Sequence, residues 1–132
     1  MVLGIDPGRV RTGLALSDET GSIALPLEVV PTKDAIKIIG KIIEERKISV
    51  IVVGMPYTLL GEVGPEGKRV EKFIGRLKRI FPEIQIEVSD ERLSSLEANH
   101  YLSSSKKKAH RDAVAASIML ERYLNSEKKK CS

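Results

Sequence analysis

The sequence is short of aromatic side chains: it has no Trp, and aromatic residues make up 4% of its 132 residues. Proteins that hold single-stranded nucleic acid by stacking its bases on aromatic rings need more of them, so that mode of binding is not expected to dominate. Cysteine is nearly absent as well. The single Cys131 cannot form a disulfide within the chain, which suits a reducing compartment.

Long apolar runs and targeting signals are also missing. No stretch approaches the ~18 apolar residues of a membrane-spanning helix, and Asp6 comes too early for a signal peptide. We therefore expect a cytoplasmic protein. His100 and His110 have no partners at zinc spacing, and the sequence contains neither a Walker A loop nor a Ser-His-Asp arrangement. We expect His110 at the start of the last helix, beside phosphates or solvent rather than on a metal.

What the sequence has is an ordinary globular composition with a modest excess of positive charge. Hydrophobic residues make up 42% and charged residues 30% of the chain. This composition and length predict one domain spanning residues 1–132. The formal net charge of +4 permits a polyanionic partner without requiring one.

Hydrophobic periodicity predicts an α/β fold. The predicted strands are Met1–Ile5, Arg11–Ser17, Ser22–Val29, Ile48–Val53 and Ile84–Val88. The predicted helices are Thr32–Lys47, Glu66–Phe81, Leu93–Leu102 and Ala109–Asn125, with Thr32 as the cap of the first. Short turns should join the first three strands into an antiparallel meander, with Pro26 at an edge or a bulge. The β-branched fourth strand is typical of a central parallel strand, so we expect a five-stranded mixed sheet with helices on both faces.

Polar segments separate and follow the last helices. Residues Ser103–Lys108, which include Lys106, Lys107 and Lys108, form a basic segment that we expect to be a linker. The tail from Glu127 to Ser132 is expected to fray. Basic side chains also occupy the outer face of the second helix. A solvated helix face is the simpler interpretation of those charges, and a nucleic-acid contact surface is the alternative.

Three acidic sites stand at the ends of predicted elements. Asp6 ends the first strand before a Pro7-Gly8 turn, Glu91 follows the fifth strand beside Asp90, and Asp112 lies in the expected first turn of the last helix. Turn formation is the simpler interpretation of Asp6 and Asp90, and capping is the simpler interpretation of Asp112. Glu is a poor turn former, so Glu91 has no such ready explanation.

Clustered carboxylates repel one another unless a cation joins them. Their hard oxygen ligands suit Mg²⁺ or Mn²⁺. Two such ions can activate water and stabilise the leaving oxygen when a phosphodiester is cleaved. A metal-dependent phosphodiesterase is therefore one hypothesis for this chain.

Four ordered motifs resemble those of the YqgF/RuvX family. The first resembles its D-x-G-x-x-R-x-G-x-A-x-S-D pattern, with Asp6, Gly8, Arg11, Gly13, Ala15, Ser17 and Asp18 in register. The others are VVGMP at 52–56 with downstream Gly61, Gly64 and Pro65, DERLSSLEA at 90–98, and DAVAASIMLERYL at 112–124. Together they span essentially the whole chain.

The resemblance implies an RNase H-like fold related to the RuvC Holliday-junction resolvases. It also implies a metal-dependent nuclease associated with 5′-end maturation of pre-16S rRNA in ribosome biogenesis. We expect nucleic acid as the partner, an rRNA precursor or branched DNA, with ribosomal particles as a further partner. The oligomeric state, monomer or homodimer, stays open. By matching position, Asp6, Glu91 and Asp112 would be the metal-binding catalytic carboxylates. Arg11 and the loop from Tyr57 to Gly64 would handle phosphates or shape the substrate groove. Whether Asp90 replaces Glu91 as a ligand stays open.

Two departures from the family pattern keep a second substrate in view. The turn Asp6-Pro7-Gly8 is closer to the D-P-G of the resolvases than to the usual D-[FY]-G, which keeps junction DNA as a candidate substrate. The fourth strand, however, ends at Met55 without the Glu that resolvases place there. The remaining alternatives are a non-catalytic nucleic-acid-binding module and a fragment of a sugar kinase or actin-like ATPase. The chain is short for the two lobes of the last class.

Overall fold

The computed structural model describes the backbone of residues 1–90 and 108–131, and the side chains of residues 1–90 and 113–126. The strands are β1 Val2–Pro7, β2 Arg11–Ser17, β3 Ala24–Pro31, β4 Val50–Met55 and β5 Gln85–Asp90. The helices are α1 Ala35–Glu45, α2 Pro65–Ile80 and α3 Lys108–Cys131, and a 3-10 turn, Thr32–Asp34, precedes α1. No helix in these ranges is both long enough and apolar enough to cross a membrane.

The five strands form one mixed sheet in the order β3-β2-β1-β4-β5. Strands β1, β2 and β3 pair antiparallel, whereas β4 pairs in parallel with both β1 and β5. The predicted meander and the central parallel strand are therefore confirmed. Ile51, Val52 and Val53 are fully buried, because β4 is covered on both faces.

Helices cover both faces of the sheet, as predicted. Leu3 and Ile5 of β1 belong to the larger core, which includes Ile39 of α1 and Leu77 of α2. The alternate residues of the strands face α3, whose Leu120 belongs to a second, smaller cluster. Side chains alternate along a strand, so each strand residue can be assigned to the α1–α2 face or to the α3 face.

Pro26 lies where a proline is tolerated. β3 is an edge strand, and its register with β2 shifts so that Leu14 pairs with Glu28 while Ala15 pairs with Pro26. The extra residue, Leu27, makes a bulge. The prediction of an edge strand or a bulge is confirmed on both counts.

The expectation that Thr32 caps the first helix was wrong. No side chain caps the 3-10 turn or α1, and the α-helix starts three residues later, at Ala35. The Thr32 hydroxyl donates instead to the carbonyl oxygen of Gly8 at 2.8 Å. The hydroxyl thus donates to a carbonyl from a distant part of the chain, whereas as a cap its oxygen would have accepted a hydrogen bond from a backbone amide of the first helical turn.

The last helix is longer than predicted. It begins at Lys108, the final residue of the expected linker, and its backbone stays helical to Cys131 through the tail expected to fray. Asp112 is consequently the fifth residue of α3 and not in its first turn, so capping no longer accounts for it. The predicted helix Leu93–Leu102 lies outside the described residues, as does the linker as far as Lys107.

Candidate active site

Asp6 lies near the carboxyl end of β1, partly buried and paired with Gly13 of β2. The next strand on the other side is β4, where Val53 pairs with Ile5 and Gly54 follows at the level of Asp6. Asp6 shares the α3 face of the sheet with these two buried glycines. Since neither neighbour has a side chain, Gly13 and Gly54 do not cover the carboxylate on this face.

Strand β5 also has its carboxyl end at this end of the sheet. Ser89 pairs with Gly54 and Asp90 pairs with Met55. Ser89 is therefore level with Asp6, two strands and roughly 10 Å away. Regular alternation places Asp90 with Val88 on the α1–α2 face, although Asp90 also borders the groove between β5 and α3.

The helix α3 approaches β1 unusually closely. A Cβ atom on Gly4 would lie 3.0 Å from the Cβ of Leu120 and 3.4 Å from the carbonyl oxygen of Ala116. Further along the helix, Leu124 belongs to the cluster that packs with Val2 at the start of β1. The contact at Gly4 is thus made by the helical turns that carry Ala116 and Leu120, and the following turn belongs to the cluster that includes Val2.

The backbone at Asp112 belongs to the same helix face as the contact with Gly4. Asp112 precedes Ala116 by four residues, which is one helical turn on the same face. Glycine at position 4 permits the approach because it has no side chain between β1 and α3. Asp6 and Asp112 are thus both close in the chain to the contact between β1 and α3: Asp6 lies two residues after Gly4, and Asp112 lies four residues before Ala116.

Hydrogen bonds fix the turn after Asp6. Arg69 of α2 donates to the carbonyl oxygens of Pro7 and Gly8, each at 3.2 Å. Thr32 donates to the Gly8 oxygen as well, and its own hydroxyl lies 2.9 Å from that of the fully buried Thr12. Because Thr32 uses its one proton on Gly8, Thr12 is the donor between the two hydroxyls.

Glu66 links this turn to two arginines. Its carboxylate accepts from Arg69 Nη2 at 2.9 Å and from Arg9 Nε at 2.6 Å. Hydrogen bonds from Arg69, and then from Arg9, lower the pKa of Glu66 below its ordinary value. The carboxylate is therefore ionised at neutral pH and keeps both guanidinium groups beside the turn.

Asp18, which the family-like motif includes, lies at the opposite end of the sheet from Asp6. It accepts hydrogen bonds from the Thr20 hydroxyl and from the amides of Ser22 and Ile23, at 2.6, 2.7 and 3.1 Å. The Thr20 hydroxyl contributes most to lowering its pKa to about 2, followed by the Ile23 amide. Asp18 therefore shapes the β2–β3 hairpin.

The predicted substrate-binding residues are only partly placed at this edge. Arg11 begins β2, is exposed, and by alternation shares the α3 face with Gly13. Tyr57 follows β4 at the edge, but its side chain packs against the larger core and lines a groove with Met55 and Val63. In the loop after Tyr57, Leu59 is 92% exposed.

Several predicted site residues cannot be placed as side chains. Glu91, Lys106 and Lys107 lie outside the described residues. Lys108, His110 and Asp112 have a described helical backbone only. Among the side chains that the structure does describe, no three His, Cys, Asp or Glu residues come together as a metal-binding group.

Sequence reasoning missed Arg69 and the true partner of Thr32. Arg69 stands 61 residues after Gly8 in the chain, in a helix where basic residues are common. Nothing in its local pattern separates it from its neighbours. Its position between the buried stripe and the exposed face of the helix was the only available signal.

The chain is similar in sequence to a known protein family and to named bacterial proteins. The profile of the family described as "RuvX: Holliday junction resolvase" matches residues 1–126. A Bacteroides thetaiotaomicron protein provisionally named pre-16S rRNA nuclease is 35% identical, with 96% of this chain and 97% of that protein covered. A Thermoanaerobacter pseudethanolicus protein of the same name is 36% identical, with 98% and 99% covered.

Solved structures share the fold. Fowlpox virus resolvase in complex with Holliday junction DNA has a TM-score of 0.59 at 14% identity, covering 96% of this chain and 97% of that one. T. thermophilus RuvC in complex with a Holliday junction substrate has a TM-score of 0.54 at 16% identity, covering 96% and 94%. These neighbours confirm the RNase H-like fold, and the family match confirms the resemblance drawn from the four motifs. The chain therefore belongs to the RuvX family.

Proposed function

We propose that this protein is a divalent-metal-dependent endonuclease that hydrolyses phosphodiester bonds in structured nucleic acid, with the 5′ end of pre-16S rRNA as its substrate. One observation carries the proposal: Asp6 lies between two glycines on the sheet face that α3 covers, and α3 packs on Gly4 of the same strand one helical turn after Asp112. The names of the curated relatives favour rRNA as the substrate. Branched DNA is the second candidate, which the description of the matching family favours.

The donor set suits Mg²⁺ or Mn²⁺. Asp6 supplies a partly buried carboxylate flanked by residues without side chains, and carboxylates are the oxygen ligands that these ions prefer. We assign Asp6, Glu91 and Asp112 as the residues that would hold the metal. Bound there, the metal would polarise the phosphoryl group and lower the pKa of an attacking water.

Asp90 is the weaker candidate for the second carboxylate. Val88 and Asp90 belong to the α1–α2 face by alternation, whereas Asp6 belongs to the α3 face. We therefore expect Glu91→Gln to abolish cleavage and Asp90→Asn to retain most of it. Cleavage retained in Glu91→Gln and lost in Asp90→Asn would reverse the assignment.

The protein's own residues position the substrate. Arg11, which by alternation is on the α3 side of the sheet two residues before Gly13, would contact a phosphate next to the scissile bond. A basic stripe on α2 can hold the flanking backbone. We define this α2 stripe as Lys68, Lys72, Arg76 and Arg79, all exposed.

The α2 stripe has the properties of a phosphate-binding surface. Lys68, Lys72 and Arg76 follow one another at i,i+4 spacing, an arrangement in which like charges destabilise a helix by a few tenths of a kcal/mol. Within the described part of the chain no carboxylate forms a salt bridge with them. A polyanion along the stripe would relieve this repulsion.

Salt dependence tests the α2 stripe directly. Each phosphate contact contributes roughly 0.7–0.9 to the slope of log affinity against log salt. Replacing Lys72 and Arg76 by Gln should lower that slope by about 1.4–1.8. The matched control replaces Lys37 and Lys41, an exposed i,i+4 pair on α1, and should leave the slope unchanged. Equal slopes in all three proteins would exclude the stripe.

Cleavage separates the two candidate substrates. Purified protein with Mg²⁺ or Mn²⁺ is given a pre-16S rRNA leader and a four-way DNA junction side by side. We expect cleavage of the leader to be faster. Preference for the junction would favour the resolvase alternative, and binding of both without hydrolysis would favour the non-catalytic module.

A further inference from the structure

The turn that follows Asp6 is bound by one guanidinium group from a distant element. Arg69 donates Nη1 to the Gly8 carbonyl oxygen and Nη2 to the Pro7 carbonyl oxygen, each at 3.2 Å. A planar guanidinium can bind two successive carbonyls in this way, whereas a Lys ammonium, a compact point charge, lacks the fork. Arg69 therefore constrains the two residues immediately after Asp6.

The turn has little freedom to adopt another shape. A Cβ atom on Gly8 would lie 2.3 Å from the carbonyl oxygen of Arg11, so the chain folds back on itself with no room for a side chain. The hydroxyl of Thr32, in the 3-10 turn before α1, donates to the same Gly8 oxygen at 2.8 Å. The Gly8 carbonyl is thus the point where α2 and the Thr32 turn both hold β1.

Arg69 is itself held on every side of its guanidinium group. Its Nε and Nη2 donate to Glu66 Oε2 at 3.3 and 2.9 Å, and its Nη1 donates to Gly8. All three guanidinium nitrogens therefore bind protein oxygens. Its side chain is 31% exposed, while Arg9, which shares Glu66, is 73% exposed.

We propose that Arg69 is a positioning residue for Asp6, which it serves by fixing the Pro7-Gly8 turn, and that it does not bind nucleic acid. The inference rests on the proposed function in one respect, the role of Asp6 in holding a metal. Arg69 therefore differs in role from the neighbouring α2 stripe. Lys68, Lys72 and Arg76 are exposed and would contact the substrate, whereas Arg69 contacts the Pro7-Gly8 turn.

The variant Arg69→Lys tests this assignment because it keeps the charge and removes the two-pronged contact. Removing a partner that orients a metal-binding residue typically costs 10–100-fold in metal affinity or activity. We expect calorimetry with Mn²⁺ alone to show about 10–100-fold weaker binding than in the parent. We expect kcat to fall by a similar factor, with KM for nucleic acid and the salt slope unchanged. Hydrogen exchange of the amides of residues 8–12 should be faster.

Two controls separate positioning from a general loss of stability. Ile74→Val weakens the packing of the same helix without touching the turn, so it should leave Mn²⁺ affinity and turn exchange at parent values. Arg69→Ala should regain part of its kcat when millimolar guanidinium is added, and not when ammonium is added at equal ionic strength. If Ile74→Val weakens Mn²⁺ binding and speeds amide exchange in the turn as much as Arg69→Lys does, both effects would come from a general loss of stability.

The results that overturn the inference are distinct from those that overturn the proposed function. Parent-like Mn²⁺ affinity and parent-like exchange of residues 8–12 in Arg69→Lys would show that Arg69 does not fix the site. A higher KM or a smaller salt slope in that variant would make Arg69 a substrate contact instead. If the parent neither binds Mn²⁺ nor cleaves, the proposed function fails, and hydrogen exchange still decides whether Arg69 orders the turn.

Discussion

Replacing Gly4 by alanine tests how closely α3 is packed on β1. The new Cβ would lie 3.0 Å from the Leu120 Cβ, 3.3 Å from its Cδ2 and 3.4 Å from the Ala116 carbonyl oxygen. The Cδ2 atom can rotate away, but the Leu120 Cβ and the Ala116 oxygen belong to the helix frame. The helix would therefore have to retreat by a few tenths of an ångström, and the helical turn that carries Asp112 would move with it.

The size of the effect follows from two opposing contributions. Forcing a methyl group into a packed core costs about 1–3 kcal/mol. Alanine also restricts the unfolded chain more than glycine does, which returns about 0.4–1 kcal/mol. We expect a net loss of roughly 1–2 kcal/mol in the free energy of unfolding, or a fall in Tm of about 3–10 °C for a domain of this size.

Urea and thermal unfolding measure this loss, with Gly75→Ala as the matched control. Gly75 lies inside α2, and a methyl group on its Cα would have nothing within 4 Å, so alanine there should stabilise the protein by about 0.5–1 kcal/mol. The two glycine-to-alanine changes should thus have opposite signs. A Gly4→Ala protein as stable as the parent would show that α3 does not approach β1 as described.

Two further substitutions test the hydrogen bonds near and far from the site. Thr32→Val leaves the buried Thr12 hydroxyl and the Gly8 carbonyl without this partner and should cost about 1–3 kcal/mol in urea unfolding, whereas Thr32→Ser should retain most of the stability. The lowered pKa of Asp18, about 2, means that its stabilisation is complete above about pH 4 and is lost as the pH falls toward 2. Asp18→Asn should therefore be less stable than the parent at pH 7, with a difference that shrinks across that window; a constant difference would contradict this origin.

The sheet could be predicted from sequence because its signals are local. The β-branched run around Val52 marks a strand covered on both faces, and Pro26 marks an edge with a bulge. Short turns made the meander the simplest connection. Each of these inferences uses neighbours within a few residues, and each was confirmed.

Errors arose where a distant partner decided the outcome. Threonine is a residue type that favours helix caps, yet the Thr32 hydroxyl donates to the carbonyl oxygen of Gly8, 24 residues earlier. Local propensity does not contain this tertiary choice.

The candidate site was predictable in part for the same reason. Asp6 stands at a strand end that the apolar pattern marks clearly, and the structure places it at the shared edge of β1, β4 and β5. Arg69 escaped prediction because its contacts with Pro7 and Gly8 cross more than 60 residues. The roles of Glu91 and Asp112 stay predictions from the family-like motifs.

The most direct test of the central claim is metal-dependent cleavage of the pre-16S rRNA leader by the parent and by Asp6→Asn, with Asp34→Asn as control. Asp34 is an aspartate at the start of α1 that makes no side-chain cap hydrogen bond, so its replacement by Asn removes the same charge without removing a helix cap. We expect Mg²⁺-dependent cleavage by the parent and by Asp34→Asn, and none by a fully folded Asp6→Asn. Cleavage by Asp6→Asn at the parent rate would contradict the assignment of Asp6 as a catalytic metal ligand.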